Sequence, residues 1–561
     1  MTDIFTTEII QNALVAVGDE MFTAMVRTSM SPIVYEAKDF AVGATDARGN
    51  LLAQGNGLAA FLATLDGAVQ STIQRYSREG DIRPGDIFIA NTPYEGGGTH
   101  LPDVSIILPV FDQEDLIAWT VNKAHWTEVG GASPGSVSTH AVEVYQEGLQ
   151  FGFLKLYSEG RLNDAIVRII RDNVRLPDST IGDLEAGVAA ARVGARRILE
   201  LVSRYGRTAV KTAMSELLDY GERMIRAELA RLPHGVHCAE DVVEEDGLGN
   251  GPFAVKVKVT ITPEKVIADF TGTSAQAKGP INCSYSGLVT AARCLFKAIT
   301  NPTIPANGGT FRALQVICPP GTILSAESPA PVSVYYETQI AAMDVIWRAI
   351  ASAMPRSLPA GHQRSVGATF ITGTDPESGN LFVMGEPLVG GWGATADRDG
   401  DSGQFCCGNG ETFNIPVELA EARFGLRVQQ YAFHAEDGGH GQYRGGRGVV
   451  LDYEVLGEVA SLTYAATRTV SQPWGLNGGG AGTHNYAEII RTDGTRQRFS
   501  MCTLVPASRG DVIRLVTATG GGYGKPSHRS AEAVAADVSD GYITAAQARQ
   551  HYKQGVDSVV P

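Results

Sequence analysis

The sequence lacks the features that would direct it to a membrane or a nucleic acid. No run of about 18 apolar residues or more occurs, so no membrane span is expected. The first residues, Met1 to Phe5, do not have the basic and then apolar layout of a signal peptide. Basic residues are few: the chain has 46 lysines and arginines but 61 acidic residues, which gives a net charge of −15. Proteins that bind nucleic acid present basic surfaces, so this composition argues against such a partner.

The sequence also lacks any cysteine pattern. Seven cysteines are scattered through 561 residues without a Cys-x-x-Cys pair, and only Cys406 and Cys407 are adjacent. An odd, unpatterned set in a long chain predicts reduced thiols and a cytoplasmic location. Apolar residues make up 43% of the chain and charged residues 19%, which is typical of a globular protein.

Three short motifs resemble catalytic or nucleotide sites, and each lacks a necessary part. Ser133 lies in a Gly-x-Ser-x-Gly pattern, but Pro134 has no N–H to donate to an oxyanion. Ser402 lies in a Gly-Asp-Ser-Gly sequence without any other protease signature. Residues 519–526 fall short of a phosphate loop because Pro526 replaces the Ser or Thr that would hold Mg²⁺. Neither a nucleophilic serine nor an ATP site is therefore expected in this chain.

One stretch predicts a β-hairpin with chemically useful residues at its open end. Two apolar, β-branched runs flank a polar turn, namely Val104–Phe111 and Leu116–Val121. Folded about residues 113–114, the hairpin places Asp103 roughly opposite Ala124, beside His125. His100 enters at the end where His125 leaves. Two imidazoles and a carboxylate in one place suit Mn²⁺, Fe²⁺ or Zn²⁺.

Two further observations support a metal at this place. Gly96 to Gly98 cost chain entropy and are expected where backbone must approach something closely. A second predicted hairpin pairs Phe40–Ala44 with Leu51–Ala53, and Asp39 stands at its open end. Any one of the histidines, taken alone, is more often an ordinary core or loop residue than a ligand. Three donors brought together by one hairpin favour a metal site.

The remaining patterns predict a multidomain α+β protein with mixed and antiparallel sheets. Helical patterns occupy 6–29, 184–205, 207–231, 286–299, 338–353 and 544–554. The predicted domains are an N-terminal α+β metal-site domain at 1–233, a central α+β domain at 234–364, and a glycine-rich, β-rich C-terminal domain at 365–561. The dense glycines of the last domain are interpreted as tight turns and loops.

Longer motifs carry a family resemblance. They include Asn91-Thr-Pro-Tyr, Gly97-Gly-Thr-His-Leu-Pro-Asp103, Ala124-His-Trp, Tyr145-Gln-Glu-Gly148, Asp269-Phe-Thr-Gly-Thr-Ser274 and Gly520-Gly-Gly-Tyr-Gly-Lys-Pro526. Over nearly its whole length the chain resembles the hydantoinase B/oxoprolinase family. That family includes the B-type components of ATP-dependent hydantoinases and lactamases, the C-terminal half of 5-oxoprolinase, and the α subunits of acetone and acetophenone carboxylases.

The resemblance implies the metal-bearing subunit of an ATP-dependent hydrolase of cyclic amides. It implies one divalent metal ion, which is Mn or Zn, with Fe as a further possibility. The ligands would be Asp39, His100, Asp103 and His125, and these residues would act in catalysis through the bound metal. It also implies a larger, actin-like, ATP-binding partner of the hydantoinase A type, in a heterotetramer or larger assembly. By this analogy the partner phosphorylates the carbonyl of a hydantoin, lactam or oxoproline-like ring. A metal-bound hydroxide on this subunit then attacks the activated carbon.

Two alternatives remain open at this point. In an ATP-dependent ketone carboxylase of the acetone or acetophenone type, the metal would direct an activated enolate onto CO₂. Carboxylase relatives can carry Glu where this chain has Asp39, and they are generally longer, which favours the amidohydrolase. The other alternative is a scaffold without chemistry of its own that organises the ATPase partner.

Overall fold

The computed structural model describes residues 4–61, 64–77 and 81–552. The chain falls into two compact units built from alternating segments. Unit 1 comprises Met1–Val236, Lys258–Gln339 and Glu411–Phe413, and unit 2 comprises His237–Val257, Ile340–Gly410 and Asn414–Pro561. Helices combined with several mostly antiparallel sheets confirm the predicted α+β class. The division at residues 233 and 364 stays a proposal about how the chain is organised.

Unit 1 is built on a seven-stranded antiparallel sheet in the order β2-β1-β5-β4-β3-β6-β7. Its strands are β1 Phe40–Asp46, β2 Leu51–Gln54, β3 Ile87–Ala90, β4 Asp103–Asp112, β5 Asp115–His125, β6 Leu154–Ser158 and β7 Arg161–Leu162. Both predicted hairpins are present, since β1 pairs with β2 and β4 pairs with β5. The two hairpins are joined side by side because β1 also pairs with β5.

Helices cover both faces of this sheet. The helices that lie wholly within unit 1 are α1 Ile4–Thr28, α2 Pro32–Tyr35, α3 Thr64–Tyr76, α4 Asp164–Asn173, α5 Pro177–Tyr205, α6 Arg207–Leu229 and α7 Tyr285–Ile299. On one face, Asn122 of β5 donates a hydrogen bond to the Gly187 carbonyl of α5 at 2.7 Å. On the other face, Trp119 and Val121 pack in one buried cluster with residues of α3. Because side chains alternate along a strand, His125 lies on the same face as Trp119 and Val121.

The first helix, predicted at 6–29, buries one apolar stripe. Ile10, Leu14, Val17 and Met21 are buried, and α1 packs against α5 and β1. By length and composition, Phe5–Thr28 is the one helix of the described residues that could cross a membrane, and 33% of it is buried inside the protein. Part of its apolar character is therefore core packing, although Phe5, Ile9 and Val15 are exposed.

The units share three elements along the chain. These are β8 Gly235–Val243, β9 Phe253–Ile261 and α8 Tyr335–Ala351, each divided between the units. Within unit 1, β10 Val266–Asp269 pairs antiparallel with β9 and parallel with β11 Leu314–Ile317.

Unit 2 contains two antiparallel sheets, with strand orders β13-β12-β16-β19 and β14-β15-β20-β17-β18. The strands are β12 Ala368–Thr374, β13 Leu381–Glu386, β14 Leu426–Phe433, β15 Val449–Val455, β16 Val459–Ala465, β17 Tyr486–Ile490, β18 Arg496–Phe499, β19 Met501–Ser508 and β20 Val512–Val516. Its helices are α9 Val417–Arg423, α10 Ala531–Ser539 and α11 Ala545–His551. The predicted terminal helix is present, although residues 553 and 554 of its predicted range lie outside the described residues.

The glycines of unit 2 do more than form turns. A Cβ on Gly391 would lie 2.1 Å from the carbonyl oxygen of Gly446 and 2.4 Å from the nitrogen of Gly520. Three separate backbone segments therefore pack together without side chains between them. The interpretation as turns and loops is incomplete, because close backbone packing explains these positions.

Candidate metal centre

The pairing of β4 with β5 brings two of the predicted ligands together. Asp103 lies directly opposite His125, rather than opposite Ala124 as the sequence predicted. The difference is one residue, and it arises from a register shift between Val110 and Phe111. Such an irregularity places an extra residue in one strand, which regular alternation in a sequence does not reveal.

Asp39 reaches the same end of the sheet through β1. Phe40 is paired with Ala124, so Asp39 stands beside His125 at the strand ends. The His125 N–H donates a hydrogen bond to the Asp39 carbonyl oxygen at 3.0 Å. This contact fixes the backbone of Asp39 relative to His125.

The donor atoms of His100, Asp103 and His125 converge inside the protein. One ligand atom from each lies within 4.8 Å of the other two. The Nε2 of His100 is 3.3 Å from Oδ1 of Asp103, and the two imidazole centroids are 4.9 Å apart at 62°. The relative exposures are 2%, 0% and 5%, so solvent does not compete for these atoms. Asp39 is not part of this three-residue group, although its charge acts on Asp103 and His100.

Neighbouring groups orient two of these donors. The hydroxyls of Thr99 and Tyr335 both donate to Oδ2 of Asp103, the latter at 3.2 Å. The Nδ1 of His100 lies 2.9 Å from the Ser333 carbonyl oxygen. A carbonyl can only accept, so Nδ1 carries the hydrogen and the neutral ring keeps its lone pair on Nε2. An imidazole held in this way is typical of a metal ligand.

Burial and mutual charge shift the pKa values of the cluster apart. Burial raises the pKa of Asp39 to about 7, and the charge of Asp103 adds to the rise. Burial also opposes ionisation of Asp103, but attraction to His100 and His125 outweighs it and lowers the pKa of Asp103 to about 2. Burial lowers the pKa of His125 to about 4, with repulsion from His100 adding to the fall. Burial would also lower the pKa of His100, but Asp103 outweighs it and raises that pKa.

The residues present fit a divalent cation. Oδ1 of Asp39 and Oδ1 of Asp103 are buried and have no hydrogen-bond partner among the described residues. A buried carboxylate oxygen without a partner is costly, and a cation bound by these oxygens would remove that cost. Two imidazole nitrogens with two carboxylate oxygens are a donor set that Mn²⁺, Fe²⁺ and Zn²⁺ accept.

Lysine 123 is a charged neighbour that the sequence did not indicate. It stands two residues before His125 on β5 and is therefore on the same face of the sheet. Its Nζ is buried without a hydrogen-bond partner among the described residues. Burial lowers the pKa of Lys123 to about 7, against the opposing attraction of Asp103.

Unit 2 contains a second group of potential ligands, Asp437, His440 and His551. Here the imidazoles are stacked, with centroids 3.7 Å apart at 16°. Both Nε2 atoms are hydrogen-bonded to the Asp437 carboxylate, at 2.6 Å for His440 and 3.1 Å for His551. Hydrogen bonds to Asp437 therefore account for both imidazoles of this group.

Several residues of the centre could not be found by sequence reasoning. Ser333 and Tyr335 are 233 and 232 residues away in sequence from the partners they contact. No local pattern connects them to the hairpin. Thr99, in contrast, lies within the quoted motif. Lys123 lies just beyond the predicted strand Leu116–Val121, and continued alternation along β5 would have placed it on the face of His125.

Comparison with known proteins identifies the family of this chain. The sequence matches the hydantoinase B/oxoprolinase family over residues 3–526, and the chain belongs to that family. A protein of Pseudomonas sp. (strain NS671), whose name makes it one component of a D-/L-hydantoinase, is 31% identical over 98% of this chain and 95% of its own length. The beta chain of the caprolactamase of Pseudomonas jessenii is 28% identical over 99% of this chain and 96% of its own.

Solved structures agree with this placement. The ATP-dependent caprolactamase from Pseudomonas jessenii matches with a TM-score of 0.91 at 27% identity, covering 98% of this chain and 96% of that chain. A nucleotide-free acetone carboxylase matches with a TM-score of 0.90 at 19% identity, covering 98% of this chain and 79% of that chain. At the lower identity, the second match shows a shared fold alone.

Proposed function

We propose that this chain is the metal-bearing subunit of an ATP-dependent hydrolase that opens cyclic amides. The observation that carries the proposal is the buried convergence of His100, Asp103 and His125, with Asp39 beside them. Family membership supports the same reaction class, because relatives are named for components of a hydantoinase and a caprolactamase. The solved caprolactamase matches at 27% identity, whereas the acetone carboxylase, at 19%, shares the fold alone, so the hydrolase is proposed ahead of the ketone carboxylase.

The ligand set of the proposal is Asp39, His100, Asp103 and His125. Thr99 and Tyr335 occupy Oδ2 of Asp103 and leave Oδ1 directed toward His100. Burial raises the pKa of the Tyr335 hydroxyl well above its ordinary value, so it remains a donor at neutral pH. A Mn, Zn or Fe ion held there would lower the pKa of a bound water to about 7 and so supply a nucleophile.

The division of labour between two polypeptides follows from amide chemistry. Resonance quenches the carbonyl of an unactivated lactam or hydantoin, so hydroxide attacks it slowly. Phosphorylation of the carbonyl oxygen would remove that resonance, and residues 519–526 do not form a phosphate loop. We assign ATP binding to a larger, actin-like partner of the hydantoinase A type, in a heterotetramer or larger assembly in the cytoplasm.

The test is to produce the chain together with the product of a candidate partner gene and purify the complex. ATP is supplied with a panel of lactams, hydantoins and 5-oxoproline, and separately with acetone or acetophenone plus bicarbonate. Ring opening coupled to ATP cleavage is expected with a member of the first panel. Carboxylation of a ketone instead would replace the proposal by the alternative. A complex that lacks stoichiometric metal and turns over neither panel would identify a scaffold.

A further inference from the structure

Glutamate 147 is a buried acid that the proposed chemistry does not use. It follows a short 3-10 helix, Val144–Gln146, and its relative exposure is 2%. Its Oε1 accepts two hydrogen bonds, from the N–H groups of Val332 and Ser333, both at 2.8 Å. Its Oε2 is buried and has no hydrogen-bond partner among the residues that the structure describes. All of its binding therefore goes through one oxygen to two consecutive backbone groups.

The segment that Glu147 binds, residues 329–333, is called here the support strap. It lies outside the regular helices and strands and immediately precedes α8. Other contacts hold its first half. The Val144 N–H donates to the Pro329 carbonyl at 3.0 Å, and the Asn282 amide donates to the Pro331 carbonyl at 2.9 Å.

The second half of the support strap reaches the candidate metal centre. The Ser333 carbonyl accepts from Nδ1 of His100 at 2.9 Å. Two residues further on, the Tyr335 hydroxyl donates to Oδ2 of Asp103 at 3.2 Å. The backbone at Ser333 thus determines the position of groups that orient two of the four proposed ligands.

We infer that Glu147 is a positioning residue for the metal centre, because its carboxylate fixes the Val332–Ser333 backbone so that Ser333 orients His100. The inference rests on the proposed function, since it assumes the metal site. Among the contacts of the support strap, Glu147 binds the N–H of the same residue whose carbonyl meets His100. A partner that hydrogen-bonds a ligating histidine directly typically changes metal affinity by about 10- to 100-fold when removed, and Glu147 acts one contact further out, so its loss should cost about 3- to 10-fold.

Two conservative variants separate the geometric role from a charge effect. Glu147→Gln keeps an acceptor oxygen at the same distance from the backbone and places its amide where Oε2 has no partner. Glu147→Asp keeps the carboxyl group but shortens the side chain by one methylene, which withdraws the acceptor. Burial raises the pKa of Glu147 to about 8, so the acid is already substantially neutral at neutral pH, and loss of charge in Glu147→Gln should matter little.

The structure offers a matched control in the same unit. Glu128 is also fully buried, and its Oε1 accepts the N–H groups of Arg175 and Leu176, the latter at 3.1 Å. It therefore performs the same backbone-binding task at the beginning of α5. Within the described residues, its carboxylate contacts Arg175 and Leu176 and neither His100 nor the support strap. Glu128→Ala should lower stability without a specific effect on metal affinity.

The experiment uses the purified complex with its partner subunit, stripped of metal by a chelator. Mn²⁺ and Zn²⁺ affinities are measured by competition with a fluorescent chelator, and unfolding is followed in parallel. Glu147→Asp and Glu147→Ala should weaken metal binding about 3- to 10-fold, whereas Glu147→Gln and Glu128→Ala should stay close to the unmodified complex. His125→Ala is included to report on the site itself.

The outcomes distinguish failure of the positioning role of Glu147 from failure of the metal site itself. Loss of affinity in His125→Ala with unchanged affinity in Glu147→Asp would overturn the positioning role and leave the metal site standing. Unchanged affinity in His125→Ala would overturn the site and the inference together. If Glu147→Ala does not fold, the metal affinities of Glu147→Gln and Glu147→Asp decide between the two roles. A lower affinity in Glu147→Gln than in Glu147→Asp would show that the charge of residue 147 matters rather than its geometry, and would overturn the inference.

Discussion

Asp103 lies directly opposite His125 in the β4–β5 pair, and the next pair along β5 joins Ala124 to Phe40 of β1. Since Asp39 precedes Phe40, one strand register determines where three of the four proposed ligands stand. A shift of β5 by one residue would turn His125 to the opposite face, toward α5. The register of this sheet is therefore as important to the metal centre as the identity of its residues.

Replacing His125 with alanine should lower bound metal and turnover while leaving the fold largely intact. The substitution removes a ligand itself, so metal affinity should fall by more than the about 10- to 100-fold that loss of an outer partner costs. Elemental analysis of the purified complex and circular dichroism measure the two effects. His140 is exposed, so His140→Ala serves as the control and should keep its metal. Full metal content and activity in His125→Ala would show that the ligand set is wrong.

Metal binding should strengthen as the pH rises from about 6 to about 8. The pKa of Asp39 is raised to about 7, so Asp39 must release a proton to bind a cation in this window, and the raised pKa of His100 acts in the same direction. Each proton released contributes about a tenfold gain in affinity per pH unit below the pKa of its group. His125, whose pKa is lowered to about 4, is already neutral in this window.

The raised pKa of Asp39 also predicts how the stability of the metal-free protein changes with pH. Folding raises the pKa of Asp39 from 3.8 to about 7, so the folded state holds this proton more tightly than the unfolded state. Its contribution to stability is present at low pH and is lost as the pH rises through about 7. The rise in melting temperature on adding Mn²⁺ should therefore be larger at pH 8 than at pH 6. Asp39→Asn should flatten this dependence, and an equally steep profile in that variant would remove Asp39 from the ligand set.

Neither Ser133 nor Ser402 is expected to be a nucleophile. Pro134 cannot supply the N–H that follows a nucleophilic serine, and the Oγ of Ser402 accepts the N–H of Arg447 at 2.9 Å. The hydroxyl of Ser402 thus has a structural partner. Ser133→Ala and Ser402→Ala should keep most of the activity of the complex. Treatment with a serine-directed phosphonate followed by mass spectrometry provides the check, and a covalent adduct on either residue would contradict the prediction.

Features that neighbouring residues determine could be predicted from the sequence, whereas those that depend on irregular register or distant contacts could not. Both hairpins, the α5–α6 break at Gly206 and the position of His125 follow from alternation and turn residues over a few positions. The one-residue error at Asp103 came from an irregular register, which leaves no periodic trace. Ser333 and Tyr335 could not be predicted because their contacts with the cluster form only after the chain has folded back over more than two hundred residues.

The chain alone should hydrolyse neither ATP nor a cyclic amide. At the one candidate phosphate loop, residues 519–526, Pro526 stands where a Ser or Thr would hold Mg²⁺. The glycines there serve a different purpose, since a Cβ on Gly520 would lie 2.1 Å from the Trp392 carbonyl oxygen. The proposed metal centre could activate water, but an unactivated lactam carbonyl reacts slowly even with hydroxide.

Carbonyl activation must therefore come from a second polypeptide that binds ATP. The measurement is to purify this chain with its metal but without the partner and to supply ATP with the lactam and hydantoin panel. Phosphate release and ring opening should stay at the level of a His125→Ala control. Adding the partner subunit should restore both in equal amounts, because one ATP would be consumed for each ring opened. Stoichiometric, ATP-coupled ring opening by the lone chain would show that the ATP site lies in this polypeptide and would overturn the division of labour.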